Sequence, residues 1–450
     1  GTKEWNMSFN IGLSGLYAAN KQLDVTGNNI ANVATTGFKS SRAEFQDVYS
    51  ASKLGTGSKA VGSGVRLANV AQQFTQGDIN NTGNVLDMGI NGSGFFTMSN
   101  NGSVTYTRAG TFKVDNAGYI TNTDYTSRLQ GYGVDANGKI INGVLTDLKI
   151  DTSNLAPKST SAVGSSINLN SSSPVIVDTG ATAVKFDPSK VETYTKSFST
   201  PIYDTQGNKH DMDQYVVKTG ENTWKVYTLV DGRNPDATGS DPKTTPPVAS
   251  TLTFDSAGKL TQVSTPNPAD PANPIISSDL KMTGWVPGNV INGNFVPNGA
   301  AANPAGVTIS MAKTTQYNAD NSRTIPTQDG YATGQITNLT IDGTGTLFAN
   351  FSNNQSKAIG QVALASFTNE QGLQAVGGTS WKETFASGIP GYDAPKTGTL
   401  GSIQSNSLEE SNVNLTNELV DLIKGQSNYQ ANAKTISTQS TIMQTIIQMA

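Results

Sequence analysis

Residues 414–448 read NLTNELVDLIKGQSNYQANAKTISTQSTIMQTIIQ. Leu415, Leu419, Leu422, Gln426, Tyr429, Ala433, Ile436, Ser440, Met443 and Ile447 fall in alternating steps of four and three, the seam of a heptad helix. Ser411 or Asn414 can cap its start, and Glu418 stands in the first turns, where a carboxylate meets the positive end of the helix dipole. The spacing predicts a helix from Asn414 to Gln448. The other end of the chain repeats the pattern at Leu13, Leu16, Asn20, Leu23, Gly27, Ile30 and Ala34, with no proline before Thr35. Asn20, Gln426 and Ser440 interrupt the two seams. A polar residue at such a position lowers stability but can fix register and partner number. Two readings stay open: both helices pack on the body of the chain, or they pair with each other and with other copies.

Inward from the two ends the pattern changes to strand and turn. Between Ser50 and Val70 the chain is rich in Gly and Ser and reads as a linker. From Val70 to Leu400 one device recurs: an apolar residue, Asp, two residues, then Gly. It occurs at Val114-Asp115 with Gly118, Val134-Asp135 with Gly138, Tyr203-Asp204 with Gly207 and Phe254-Asp255 with Gly258. Asp opening and Gly closing suit a type I turn with a Gly bulge, hence β-hairpins. The alternative, calcium loops, lacks the repeated acidic ladder and the glutamate at the twelfth position. Pro-rich loops at Pro157, Pro242–Pro247 and Pro266–Pro274 separate strand-like stretches at Lys196–Tyr203, Tyr215–Lys218, Thr223–Val230 and Thr251–Phe254. The compact hairpin style returns at Arg323, which predicts one domain inserted into another.

Composition narrows the chemistry. The chain has 450 residues, room for about three domains. Charged residues are only 14% and the net charge is −4, so a basic nucleic-acid or anionic-membrane surface is not expected. No apolar run reaches the length of a membrane span, and no leader pattern precedes Met7, which reads as a start residue. Gly1 to Asn6 stand outside the fold reading. Cysteine is absent, which excludes disulfides and thiolate chemistry. His210 is the one histidine, so multi-histidine metal sites are excluded as well. Asp211 and Asp213 beside His210 read as a solvated turn after Gly207 rather than a metal site. Gly62-Ser63-Gly64 lies in the Gly/Ser stretch and is no nucleophile elbow. Phe95, Phe96, Tyr106, Phe112 and Tyr119 read as the core of a β domain. No catalytic, cofactor-binding or metal residue is assigned. A chain without a reactive constellation and with heptad ends reads as a building block.

Five stretches carry a family resemblance. Asn28-Asn29-Ile30-Ala31-Asn32-Val33-Ala34-Thr35-Thr36-Gly37-Phe38-Lys39 resembles the N-terminal signature of the flagellar rod and hook axial proteins. Leu86 to Phe96 and Tyr106 to Phe112 resemble their core-domain motifs, and Leu408 to Leu415 and Tyr429 to Lys434 their C-terminal ones. Rod proteins are short, so the long insertion points to the hook branch of the family. The resemblance implies a structural subunit of the bacterial flagellar hook, not an enzyme and without a cofactor. Such subunits form a curved flexible tube that serves as a universal joint between rod and filament. The implied partners are further copies of the chain in a helical homopolymer, a hook cap protein, the distal rod, the hook–filament junction proteins and the flagellar type III export apparatus. Nucleic acid and membrane insertion are not among them. The implied location is extracellular, in the flagellum, after export without a cleaved signal peptide.

The fold expected is multi-domain and mainly β: a hairpin-rich β core domain plus an inserted β domain, with terminal α-helices forming a coiled-coil-like domain. Its parts are a helix at 7–36, an extended connection at 37–75, the core at 76–156 and 323–398, an inserted outer domain at 157–322, and a connection with the second helix at 399–450. Polymerisation is assigned to Leu13, Leu16, Leu23, Ile30, Leu415, Leu419, Leu422, Tyr429, Ile436, Met443 and Ile447. Asn28, Asn29, Ile30, Ala31, Asn32, Gly37 and Phe38 carry the family signature. The alternatives are a distal rod protein, which the insertion disfavours, an extracellular β-domain adhesin, which leaves the helices unexplained, and a polysaccharide hydrolase, for which no carboxylate pair can be named.

Overall fold

The structure is a computed structural model that describes residues 2–49, 61–235 and 247–449, with side chains from Phe9 onward. The chain is mainly β, with one long helix at each end: α1, Thr2–Ala31, and α2, Leu415–Met449. It divides into two compact units. The first comprises residues 1–152, 337–350 and 356–450, and the second residues 153–336 and 351–355.

The first unit weaves early and late segments into one sheet. Strand Arg128–Tyr132 pairs with Ser356–Val362, Phe95–Asn100 with Leu364–Ser366, and Ser103–Thr107 with Ser380–Lys382, all antiparallel. Phe74, Phe95, Tyr106, Phe367 and Trp381 form its aromatic centre. The rings meet edge to face, with Phe74 and Trp381 5.3 Å apart and Tyr106 and Phe367 4.8 Å apart. That geometry sets the positive ring edge on the negative face.

The second unit is built on a six-stranded antiparallel sheet running in chain order from Lys196–Tyr203 to Ile275–Ser277. Burial alternates along Lys196–Tyr203 and Lys209–Gly220, one face dry and one wet. The dry face carries Ile202, Met212, Trp224, Val226 and Leu252. It shares one core with Val163, Ile167, Leu280, Val307 and Ile309 from a second sheet. The Trp224 indole donates to Gln316 Oε1 at 2.6 Å, so its one polar atom is paired.

The four Asp–Gly turns form as expected, and in each the Asp Oδ1 accepts from backbone amides, while the Asp204 Oδ2 is left for side chains. Asp115 Oδ1 accepts from the amides of Ala117 and Tyr119. Asp135 and Asp255 do the same, and Gly118, Gly138 and Gly258 take positive φ.

The structure departs from the sequence reading at several boundaries. The connection expected at 37–75 holds an antiparallel ribbon, Ser41–Asp47 with Val65–Gln72. Between those strands, the Gly/Ser stretch at residues 50–60 lies outside the described residues, as does most of Pro242–Pro247. The return to the first unit comes near residue 337, not 323, because Ser322–Gln328 pairs with Ala162–Asn168 in the second unit. α1 ends at Ala31, and turns at 32–37 replace the expected last helical residues. His210 is not in a solvated turn. It sits in strand Lys209–Gly220 at 4% exposure.

Candidate functional site

The two terminal helices pack antiparallel within the first unit, and small residues set their approach. A Cβ on Gly12 would stand 3.2 Å from Ile436 Cγ1, one on Gly15 would overlap the Asn432 side chain, and one on Gly425 would stand 2.9 Å from Leu23 Cδ2. Nearer the body of the unit, burial raises the Glu418 carboxyl above its ordinary pKa, against the pull of the Asn29 side chain beside it. Position 12 thus faces 436, 15 faces 432, 23 faces 425 and 29 faces 418. Within α1 the buried positions are Gly12, Ala19, Thr26 and Asn29. Small residues let the two backbones approach, and Leu23 and Ile436 of the seam read from the sequence fill the space they leave.

The assigned seam residues therefore divide. Leu23 and Ile436 pack against Gly425 and Gly12 in the contact itself, and Leu13, Leu16 and Ile30 of α1 and Leu422 of α2 are half-buried. Leu415, Leu419, Tyr429, Met443 and Ile447 are exposed, joined by Val420, Ile423, Ile442 and Ile446. Leu419 is 45% and Ile447 70% exposed. These exposed apolar side chains cluster toward the two ends of α2, and apolar surface of this extent marks an interaction surface. At the start of α2 the Asn414 Oδ1 cap accepts from the Asn417 amide at 3.2 Å.

The base of the helix pair is tied to the β core by a buried charge cluster that the sequence reading missed. Lys39, Arg108 and Glu409 come from three of the signature stretches, and all three are at most 4% exposed. Lys39 Nζ donates to Glu409 Oε1 at 2.6 Å and to the Thr75 carbonyl at 2.7 Å. Arg108 Nε donates to Glu409 Oε1 at 3.2 Å, and its Nη2 bonds Glu409 Oε2. Arg108 Nη1 reaches the carbonyls of Gly92 and Gly94 at 2.8 Å, and Nη2 that of Ile90 at 3.0 Å. The guanidinium fork is fully used, the condition under which a buried arginine is tolerated. Burial pushes the Lys39 ammonium below its ordinary pKa, against the pull of Glu409. Burial likewise raises the Glu370 carboxyl that lines the same cleft.

The signature residues surround this cluster. The Asn29 amide group donates to the Ser41 carbonyl at 2.8 Å, and its oxygen accepts from the Ser41 amide at 2.9 Å, which joins α1 to the ribbon. Asn32 Nδ2 reaches back to the Asn28 carbonyl at 3.0 Å and helps close the helix end, while Ile30 and Ala31 form its last turn. Gly37 takes φ +70°, its amide donates to the Glu409 carbonyl at 2.8 Å, and a Cβ there would stand 2.5 Å from the Ala109 nitrogen. Only glycine fits that place. The Phe38 carbonyl accepts from the Asn412 amide, and the Asn412 side chain bonds the Ser40 amide and the Gln73 carbonyl. The N-terminal and C-terminal signatures are thus one clasp, folded around Glu409.

A second buried polar group lies in the other unit. His210 Nδ1 meets Asp231 Oδ2 at 2.6 Å, and Nε2 meets Asp204 Oδ2 at 2.8 Å. Burial alone would push the imidazole down. The hydrogen bonds and charges of Asp231 and Asp204 outweigh it and hold the histidine above its ordinary pKa. Among the described residues no cluster of three or more His, Cys, Asp or Glu has metal-binding geometry. No described helix is long and apolar enough to cross a membrane.

The comparisons with known proteins agree with this layout. Residues 9–39 match the flagella basal body rod protein family. Residues 89–168 match the flagellar hook protein FlgE/F/G D1 domain, and residues 168–331 the flagellar basal body protein FlaE D2 domain. Residues 404–449 match the flagellar basal body rod FlgEFG protein C-terminal family. The flagellar hook protein FlgE of Escherichia coli is 37% identical over 447 residues, covering 98% of this chain and 100% of that one. Its counterpart in Salmonella typhimurium is 37% identical over 449 residues, at 98% and 100% coverage. That of Treponema pallidum is 33% identical over 465 residues, at 97% and 98%. With relatives above 30% identity aligned over nearly the whole of both chains, the chain belongs to the flagellar hook protein FlgE family.

Proposed function

We propose that this hook structural subunit polymerises through its terminal helix pair, and that the tube so formed is the curved, flexible coupling that passes torque from rod to filament. The observation that carries the reading is the set of exposed apolar side chains on α2, between Leu415 and Ile447, which the partner helix leaves uncovered. Copies related by one repeated rotation bury such a surface head to tail, and a rotation that does not close gives an open helical tube. In this reading the helices form a coiled-coil-like inner domain lining the channel, the first unit's β core a middle layer, and the second unit an inserted outer layer. The paired signatures around Lys39, Arg108 and Glu409 are the rigid joint between inner and middle layers.

Few charges and many Ser, Thr, Asn and Gln suit outer contacts that slide. Each protofilament lengthens and shortens once per turn, so wet polar interfaces with small energy differences serve better than a dry core. The same reading makes the cap protein, the distal rod, the hook–filament junction proteins and the export apparatus the chain's partners. It puts the assembled protein outside the cell, delivered without a cleaved signal, and gives it no catalytic role.

The test is assembly of the full chain beside the Leu419→Asp/Ile423→Asp variant. Both side chains are exposed, so each substitution costs the folded chain about 0.5 kcal/mol, too little to unfold it. Electron microscopy is expected to show tubes from the first protein and none from the second. Tubes of equal length from both would reject this helix surface as the polymer contact.

A further inference from the structure

The second unit carries two open strand edges of matching character. Strands Gly288–Ile291 and Asn294–Pro297 form a two-residue hairpin that pairs with no other strand among the described residues. Its tip, Asn292-Gly293, has φ of 52° and 79°, the conformation of a tight I′ turn. Alternation puts Phe295 on one face and Ile291 and Val296 on the other. Phe295 is the root. The Arg233 guanidinium lies 3.7 Å over its ring, and Arg233 Nη2 donates to the Val286 carbonyl. Asn298 Nδ2 donates to Asp204 Oδ2 at 3.0 Å, and Thr205 and Ala301 exchange hydrogen bonds at 2.9 Å. The arm is thus anchored at its base, while Val290, Ile291 and Val296 remain 56%, 54% and 44% exposed.

The complementary feature is strand Ile275–Ser277. It is the last strand of the six-stranded sheet and pairs on one side only among the described residues. Ile275 and Ile276 are 53% and 54% exposed. No charged residue occurs from Met282 to Ala312, nor from Pro271 to Ser278. Proteins that stay apart guard such edges with charge. Here each copy carries both an uncharged apolar arm and an uncharged apolar edge.

We infer that the arm Gly288–Pro297 of one copy lies along the edge Ile275–Ser277 of the next, adding its strands to that sheet, with Ile291 and Val296 beside Ile276 on one face and Val290 beside Ile275 on the other. The inference rests on the reading of the chain as a self-assembling hook subunit, and names the contact its second unit makes. An arm and an edge on every copy give a head-to-tail contact that propagates without a limit on number.

The chain has no cysteine, so a disulfide can be placed at will. The double variant Ile291→Cys/Ile276→Cys is assembled, oxidised mildly and run on a non-reducing gel beside each single variant. A disulfide needs Cα atoms within about 7 Å, so it reports adjacency. The expected result is a ladder of dimers, trimers and longer species from the double variant and monomer from both singles. Tubes that yield only monomer overturn the inference and leave the hook-subunit reading intact. Dimers from Ile291→Cys alone overturn it in favour of arm meeting arm. If this pair blocks assembly, Val290→Cys/Ile275→Cys on the other face is read the same way. If the unaltered chain forms no tubes, the reading beneath the inference fails with it.

Discussion

Glu409 is the residue on which the first unit turns. It is fully buried, and its single carboxylate is shared between Lys39 and Arg108. Removing one partner of a buried pair leaves an uncompensated charge, a loss of about 3–5 kcal/mol. Glu409→Gln is therefore expected to lower stability by about that much in chemical denaturation. Glu44→Gln, which breaks the exposed pair with Arg42, is expected to leave the midpoint unchanged. His210 makes a separate prediction. Its folded pKa lies above 6.5, so the native state binds the extra proton. The stability it contributes is fully present below pH 6.5 and is lost as pH rises through the raised value. Asp204 is shifted the other way: burial opposes its charge, but His210, Asn298 and Asn208 hold its pKa below 3.8. Its contribution is present above pH 3.8 and fades as pH falls through the lowered value. Thermal midpoints across pH 5–9 should fall on the alkaline side for the parent chain, and His210→Asn should flatten that slope.

At the scale of elements, the helix pair depends on its glycines. Gly12→Leu drives a side chain into Ile436 and Thr435. The expected cost to helix docking is about 1–3 kcal/mol, as for overpacking. The check is a loss of protection of α1 and α2 in hydrogen exchange, with the β strands unchanged. The same contact explains where the sequence was readable and where it was not. The Asp–Gly turns were legible because an Asp carboxylate bonds amides two and four residues on. Thr223–Val230 was legible for a like reason, as a run of β-branched and aromatic residues. Existence of both helices followed from period. Their contact face followed only in part: Leu23 and Ile436 of the seam lie in it, while Gly12, Gly15 and Gly425 mark a closer approach that a search for apolar residues passes over. The clasp was hidden by distance: Arg108 and Glu409 are 301 residues apart, and Lys39 and Glu409 are 370. His210 was misread because its second carboxylate, Asp231, lies on the far side of strand Thr223–Val230 in sequence.

Across the whole molecule, the two units have separate cores and are expected to respond separately. Trp224 is fully buried in the second. Trp224→Ala, which empties that core and strands Gln316, is expected to cost about 3–5 kcal/mol there. Calorimetry should then show an early transition for the second unit and a retained one for the first. The central claim remains that the terminal helices make the polymer. The most direct measurement is electron microscopy of the full chain beside a variant lacking residues 414–450. Tubes from the full chain and isolated particles from the variant are the predicted result. Tubes from the shortened chain, or none from the full chain under assembly conditions, would contradict the account.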